Sequence, residues 1–179
     1  MILQALKEKM GDCKFTESSL CEHKSPYHQI AEKLFYIYDA DDRQPVKIVL
    51  DGDYQLTIYN ESESEICVVK TDKCLIKEVE GQKKCDCILF NNRRLYFVEI
   101  KSGGTGKRGE RKRKAKEQLG STIDNLRNNG ISLSNLELQA IICIKNHSRK
   151  IPQVTEQTMM EKFREQYNVK LEITDTIEF

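Results

Sequence analysis

The stretch "KKCDCILFNNRRLYFVEIKSGG", residues 83–104, decides the fold. Two apolar runs of strand length flank a short polar turn, and both runs carry charge where a buried strand is normally plain. Side chains alternate between the two faces of a strand. Leu95, Phe97, Glu99 and Lys101 therefore share one face of the second run, and Asp86, Ile88 and Phe90 share one face of the first. A two-residue turn at Asn92-Arg93 and a four-residue loop from Asn91 to Arg94 give the same register, in which partner numbers add to 185. Asp86 then lies opposite Glu99 on one face, with Cβ atoms about 4.5–5.5 Å apart. Two carboxylates at that separation repel unless one is protonated or a cation lies between them. Mg²⁺ suits such a pair, because it takes oxygen ligands and commonly uses one or two carboxylates. Lys101 is next on the face beyond Glu99, where its ammonium can meet a phosphate. A metal, a water and a lysine so arranged fit phosphodiester hydrolysis.

The competing reading is a half-exposed hairpin with a surface Glu-Lys pair. Leu95 and Phe97 weigh against it, since a face that carries them is largely buried and its charges lie at a cleft rim. The register-matched Asp86 is a second, independent condition.

At 179 residues the chain is expected to form one domain, residues 1–179. The core is expected at about 65–144, with N-terminal helices and a hairpin over 1–64 and a C-terminal helix and strand over 145–179. Hydrophobic residues make up 39% and charged residues 32%, as suits a globular chain with a wet surface. No stretch approaches the roughly 18 consecutive apolar residues of a membrane span. "MILQALKEKMGD" is too charged for a secretory signal, so a cytoplasmic protein without a membrane partner is expected. Seven cysteines at irregular spacing, several in apolar runs, read as buried thiols of a reduced compartment. Cys13, Cys21, His23 and His28 are candidate zinc ligands, but their spacing matches no common finger and ordinary side chains are the favoured reading.

The net charge of +1 hides an uneven distribution. "KRGERKRKAK", residues 107–116, holds seven Lys/Arg and one Glu, whereas Asp51–Glu65 holds five acids and no Lys or Arg. A concentrated basic segment on a nearly neutral protein suggests a surface that faces a polyanion, against the alternative of a solvated helix face.

Residues 2–10 read as a short helix. Ser25-Pro26 reads as the cap of a second helix, "YHQIAEKLFYIY". "VKIVL" and "YQLTIY", joined through "DGD", read as a hairpin, and "EICVVK" and "CLIKEV" as two further strands. Residues 110–128 read as a helix with Ala115, Leu119, Thr122, Ile123 and Leu126 on one face, ended by "NNG". "LELQAIICIK" reads as a buried strand, "TEQTMMEKFREQY" as a Thr-capped helix and "VKLEITD" as the last strand. The expected class is α/β, a mixed central β-sheet flanked by helices, with an extra N-terminal β-hairpin region.

The order D-x(12)-E-x-K across a hairpin, followed by a helix and a strand, resembles the PD-(D/E)XK nuclease superfamily. The resemblance covers about residues 65–144, with the Ser25 helix as a candidate first element. It implies a restriction-endonuclease-like α-β-β-β-α-β core. It also implies Mg²⁺, with Mn²⁺ as a substitute, held by Asp86, Glu99 and Ile100, and Lys101 acting on the water or the transition state. Cys85-Asp86 stands for the "PD". Gln118 matches a Gln that many members carry on the following helix, while Thr122 replaces their Tyr. Glu32 is the candidate for a Glu on the first helix, but it falls opposite the Ile30/Leu34/Ile37 face. Lys107, Arg108, Arg111, Lys112, Arg113 and Lys114 would then flank the cleft and bind nucleic acid through phosphates, with Gly103, Gly104 and Gly106 allowing close backbone approach. The "GGTGKRG" spacing is not that of a P-loop.

The expectation is a Mg²⁺-dependent nuclease, with DNA ahead of RNA as substrate, in defence or DNA processing. The alternative is a catalytically silent nucleic-acid-binding or partner-binding module on the same fold. Duplex cleavage often uses two active sites, which leaves a homodimer or larger complex open.

Overall fold

A computed structural model of the chain describes residues 2–14, 25–40, 44–77, 82–101, 108–144 and 154–179. Helix α1 (Ile2–Met10) is followed by β1 (Tyr27–Ile30), β2 (Leu34–Tyr38), β3 (Lys47–Val49), β4 (Leu56–Tyr59) and β5 (Ile66–Lys70). A π-type turn (Thr71–Leu75) leads on to β6 (Cys87–Phe90) and β7 (Arg94–Lys101). Then come α2 (Arg108–Asn128), β8 (Glu137–Ile144), α3 (Val154–Tyr167), β9 (Lys170–Ile173) and β10 (Thr176–Glu178). The strands form two sheets, one of order β1-β5-β6-β7-β8-β9 and one of order β10-β4-β2-β3. In the larger sheet β1, β5, β6 and β7 pair antiparallel in turn, and β7, β8 and β9 pair parallel.

Strand alternation builds two cores on the faces of the six-stranded sheet. Val69, Ile88, Phe90, Leu95, Phe97, Ala140 and Ile142 point to one face, where they meet Leu6 of α1, Leu119 and Ile123 of α2 and Phe163 of α3. Val68, Leu89, Val98, Ile100 and Ile141 point to the other face and meet Phe35, Ile37, Leu56 and Ile58 of the smaller sheet. A central strand buried on both faces has no polar side to show, and β7 is accordingly buried from Leu95 to Ile100.

Helix α2 ends in a Schellman motif. Gly130 takes φ 69°, its amide donates to Arg127 O at 2.8 Å, and the Ile131 amide donates to Leu126 O at 3.0 Å. Glycine fits there because a side chain is strained at that φ.

Several sequence expectations are corrected. "YHQIAEKLFYIY" is no helix but two strands, β1 and β2, in different sheets. Its aromatic and β-branched residues fit a pleated surface, and Ser25 Oγ accepts from the Tyr27 amide at 3.2 Å in a local turn instead of capping a helix. β3 and β4 do not form a hairpin with each other, because both pair antiparallel with β2, one on each side. The second strand of "CLIKEV" is replaced at its start by the Thr71–Leu75 turn, in which Lys73 has φ 57°. "VKLEITD" is followed by a further strand, β10, which lies parallel beside β4 and ties the C-terminus to the smaller sheet. The extra N-terminal hairpin region is thus part of a second sheet layer that both ends of the chain build. Thr155 lies inside α3, which starts at Val154.

Candidate active site

The β6–β7 register is that of the turn: Cys87 faces Val98 and Phe90 faces Leu95. One residue further out the ladder changes. β6 begins at Cys87, and the amide of Asp86 donates to Val98 O at 3.0 Å, so two consecutive residues face Val98 as in a β-bulge. Asp86 therefore stands beside Glu99 without a ladder pairing to it. Its Oδ2 accepts from the Ile100 amide at 2.6 Å.

The Cys85-Asp86 backbone is clamped on several sides. The Cys85 amide donates to Thr122 Oγ1 at 2.8 Å, and Thr71 Oγ1 donates to Cys85 O. Asp86 O accepts from the amides of Thr71 at 3.1 Å and Asp72 at 3.3 Å. The helix α2 and the π-type turn thus fix the acid at the end of the strand. Such support removes the freedom that a carboxylate next to a turn otherwise has.

Glu99 is 1% exposed. Its Oε1 accepts from Lys101 Nζ at 2.5 Å, while its Oε2 is buried with no hydrogen-bond partner among the described residues. Lys101 Nζ also donates to Gln118 Oε1 at 2.8 Å, and Gln118 Nε2 donates to Lys84 O at 3.1 Å. Asp86, Glu99, Lys101 and Gln118 therefore belong to one continuous cluster. Sequence reasoning missed Thr71, Asp72 and Lys84. Lys84 is buried, and its Nζ lies 3.4 Å from Asp72 Oδ1. The polar "TD" between the apolar runs "ICVVK" and "KCLI" is the signal that marked this turn.

Burial pushes the Asp86 carboxyl up to about 7; the Ile100 amide and Lys101 act against that rise, and Asp39 and Asp72 add to it. Burial also raises Glu99 well above the usual carboxylate range, with Asp86 second and Lys101 opposing. Both shifts have the same origin: negative charge in a low-dielectric site without enough positive charge to balance it.

No group of three or more His, Cys, Asp or Glu side chains among the described residues could hold a metal ion. The donor set here is two carboxylates, which leaves the other positions of a Mg²⁺ shell to main-chain oxygen and water. The unpartnered Glu99 Oε2 fits a cation, since a buried carboxylate oxygen otherwise lacks the bond that its desolvation calls for. Glu32 lies in the exposed β1–β2 loop and cannot serve as a first-helix acid. Cys13 packs against Cys74, while Cys21 and His23 lie outside the described residues.

The basic run divides. Arg111 and Lys114 share the helix stripe of Gln118, two turns and one turn before it. Arg113 and Lys114 are exposed and pair along the helix with Glu117 at 2.6 Å and Glu110 at 3.1 Å. Arg108 is exposed at the start of α2, and Lys107 lies outside the described residues. Lys112 departs from the expectation: it is buried and ion-paired with Glu156 of α3. Its position three residues before Ala115 places it on the inward face of α2, away from an open groove.

No family model, curated protein or solved structure matches this chain. No helix among the described residues is long and apolar enough to cross a membrane.

Proposed function

We propose that the chain is a Mg²⁺-dependent nuclease of the PD-(D/E)XK type, hydrolysing phosphodiester bonds with DNA ahead of RNA as substrate. The observation that carries the reading is Glu99, buried beside Asp86 with one oxygen on Lys101 and the other without a partner among the described residues. A buried surplus of negative charge is costly in itself and calls for a cation. The order α1, β5, β6, β7, α2, β8 supports a restriction-endonuclease-like core, with α1 in place of the Ser25 helix as its first element.

Asp86, Glu99 and the main chain of Ile100 would hold the ion, which when bound polarises a phosphoryl oxygen and activates water. Lys101 is held between Glu99 and Gln118, so its ammonium is fixed where negative charge develops on the phosphate. Gln118 joins this lysine to the Lys84 carbonyl and so keeps α2 in register with the acid-bearing segment. Arg111 and Lys114, on the same stripe of α2, would take neighbouring phosphates.

The test is incubation of the pure protein with plasmid, single-stranded DNA and RNA, each with Mg²⁺, Mn²⁺ or EDTA. Cleavage of DNA that needs the metal and is lost in Glu99→Gln supports the reading. Metal-independent binding of nucleic acid without cleavage would assign a silent binding module, and neither binding nor cleavage would point to a protein partner.

A further inference from the structure

An antiparallel strand with one face on a core and the other in water normally alternates apolar and polar residues. Strand β2, "LFYIY", does not. Phe35 and Ile37 point into the core between the two sheets, and the alternate positions Leu34, Tyr36 and Tyr38 point away from it. The register carries that outer face across the smaller sheet: Tyr59 of β4 pairs with Leu34, and Thr57 of β4 and Val49 of β3 flank Tyr36. Leu34 is 40% and Tyr59 44% exposed. Tyr54, from the β3–β4 connection, stacks on Tyr36 with ring centroids 4.1 Å apart. Among the described residues the helices pack on the far side of the larger sheet, so none of them covers these rings. Exposed apolar side chains scattered singly are ordinary, but leucine and tyrosines joined across paired strands form the kind of patch that partner surfaces are enriched in.

Acids rim the patch. Asp51 and Asp53, both exposed, lie in the connection that carries Tyr54. Glu61, also exposed, lies just past β4, and Glu178 of β10 is the ladder neighbour of Tyr59. Lys33 pairs with Glu63 at 3.0 Å, and Lys47, opposite Tyr38, is the basic residue at the outward strand positions. Such a rim repels the phosphates of a nucleic acid and favours a cationic partner. Arginine fits both features, since its planar guanidinium stacks on an aromatic ring and pairs with a carboxylate through two parallel bonds. We propose that the outer face of the smaller sheet, centred on Leu34, Tyr36 and Tyr59, docks an arginine-rich segment of a partner protein. Guanidinium groups stack on the tyrosines and pair with Asp51, Asp53 and Glu61. Leu95 and Phe97, on the strand face of Glu99, meet the helices, so the larger sheet and the core between the sheets separate this patch from Glu99. The docking face therefore stands or falls independently of the nuclease reading.

The experiment is binding of a fluorescent peptide of arginine-glycine-glycine repeats to the full chain, measured against salt, beside a lysine-glycine-glycine peptide of equal length and charge. The parent should bind the arginine peptide roughly five-fold more tightly, because an ammonium lacks the flat face and the fork of a guanidinium. Tyr59→Ser should lower the arginine-peptide affinity roughly five-fold, the share of one stacked ring. Asp51→Asn combined with Asp53→Asn should flatten the salt dependence of that binding. If Tyr59→Ser fails to fold, the Asp51/Asp53 variant, altered only in an exposed connection, carries the test with its salt dependence. No binding by the parent, equal affinity for the two peptides, or arginine-peptide binding unchanged in both variants would overturn the docking site. Binding of a single-stranded oligonucleotide that Tyr59→Ser abolishes would assign the face to nucleic acid instead. A dimer in sedimentation that Tyr59→Ser dissociates would assign it to a second copy of the chain, and either result overturns the arginine-rich partner.

Discussion

Lys101 donates to Glu99 at 2.5 Å and to Gln118 at 2.8 Å, so one ammonium joins β7 to the helix α2 that covers it. The pair leaves Glu99 half satisfied, because among the described residues only one of its two carboxylate oxygens has a donor. That geometry separates the roles of the acids from that of the lysine.

Asp86→Asn and Glu99→Gln each remove a carboxylate charge from the proposed metal site. Both should abolish cleavage and weaken Mg²⁺ binding by an order of magnitude or more. Both also relieve the surplus negative charge, so the metal-free fold should gain stability at neutral pH. Calorimetric Mg²⁺ titration and urea denaturation in EDTA read the two effects; Mg²⁺ affinity equal to that of the parent would remove these acids from the metal set.

Lys101→Ala should behave differently. It removes a positive charge beside the carboxylates, so divalent binding should persist or tighten, while cleavage falls by about two to three orders of magnitude. The same variant leaves Glu99 buried without a donor, so the metal-free protein should lose stability. Full activity would make this lysine a structural partner of Glu99 only.

The raised carboxyl of Asp86 sets a pH dependence. Its proton is held in the folded state up to about pH 7, whereas the unfolded chain releases it near the usual value of 3.8. The folded state therefore binds more protons across that window, and stability falls as pH rises through it. Between about pH 5 and about pH 8, metal-free protein should lose about 3 kcal/mol from Asp86 alone. Glu99, raised in the same direction by burial, adds to the loss. Urea midpoints in EDTA at several pH values measure it, and the slope should flatten in Asp86→Asn. A flat profile in the parent chain would show that Asp86 is ionised and balanced in the fold.

The basic run should split by burial. Replacing Arg111, Arg113 and Lys114 together by Ala should weaken nucleic-acid binding and lower its salt slope, with metal binding retained. Lys112→Ala should leave the salt slope alone and lower the thermal midpoint, since it removes a buried ion pair with Glu156. Fluorescence anisotropy against salt and a thermal melt distinguish the two sets. An unchanged slope in the triple variant would make the run a solvated helix face.

The sequence by itself determined the strand pair and its register, because alternation and turn length act locally. Leu95, Phe97, Glu99 and Lys101 fall on one face whatever the rest of the chain does, and the "NNRR" turn leaves one pairing. The period of α2 likewise placed Ala115, Leu119 and Ile123 inward and Gln118 at their edge. Tertiary structure decided what depends on distant partners. "YHQIAEKLFYIY" has apolar spacing that a helix accepts, and it became β1 and β2 only because β5 and β4 offered edges to pair with. Short apolar runs carry too little periodicity to settle that choice alone. Lys112 and Lys70 look like any other basic residues in the sequence; α3 buried the first against Glu156, and the packing of two sheets buried the second in a groove. The bulge at Asp86 came from the same source, since the Thr71 and Asp72 amides hold the Asp86 carbonyl, Thr122 holds the Cys85 amide, and no local pattern announces those long-range hydrogen bonds.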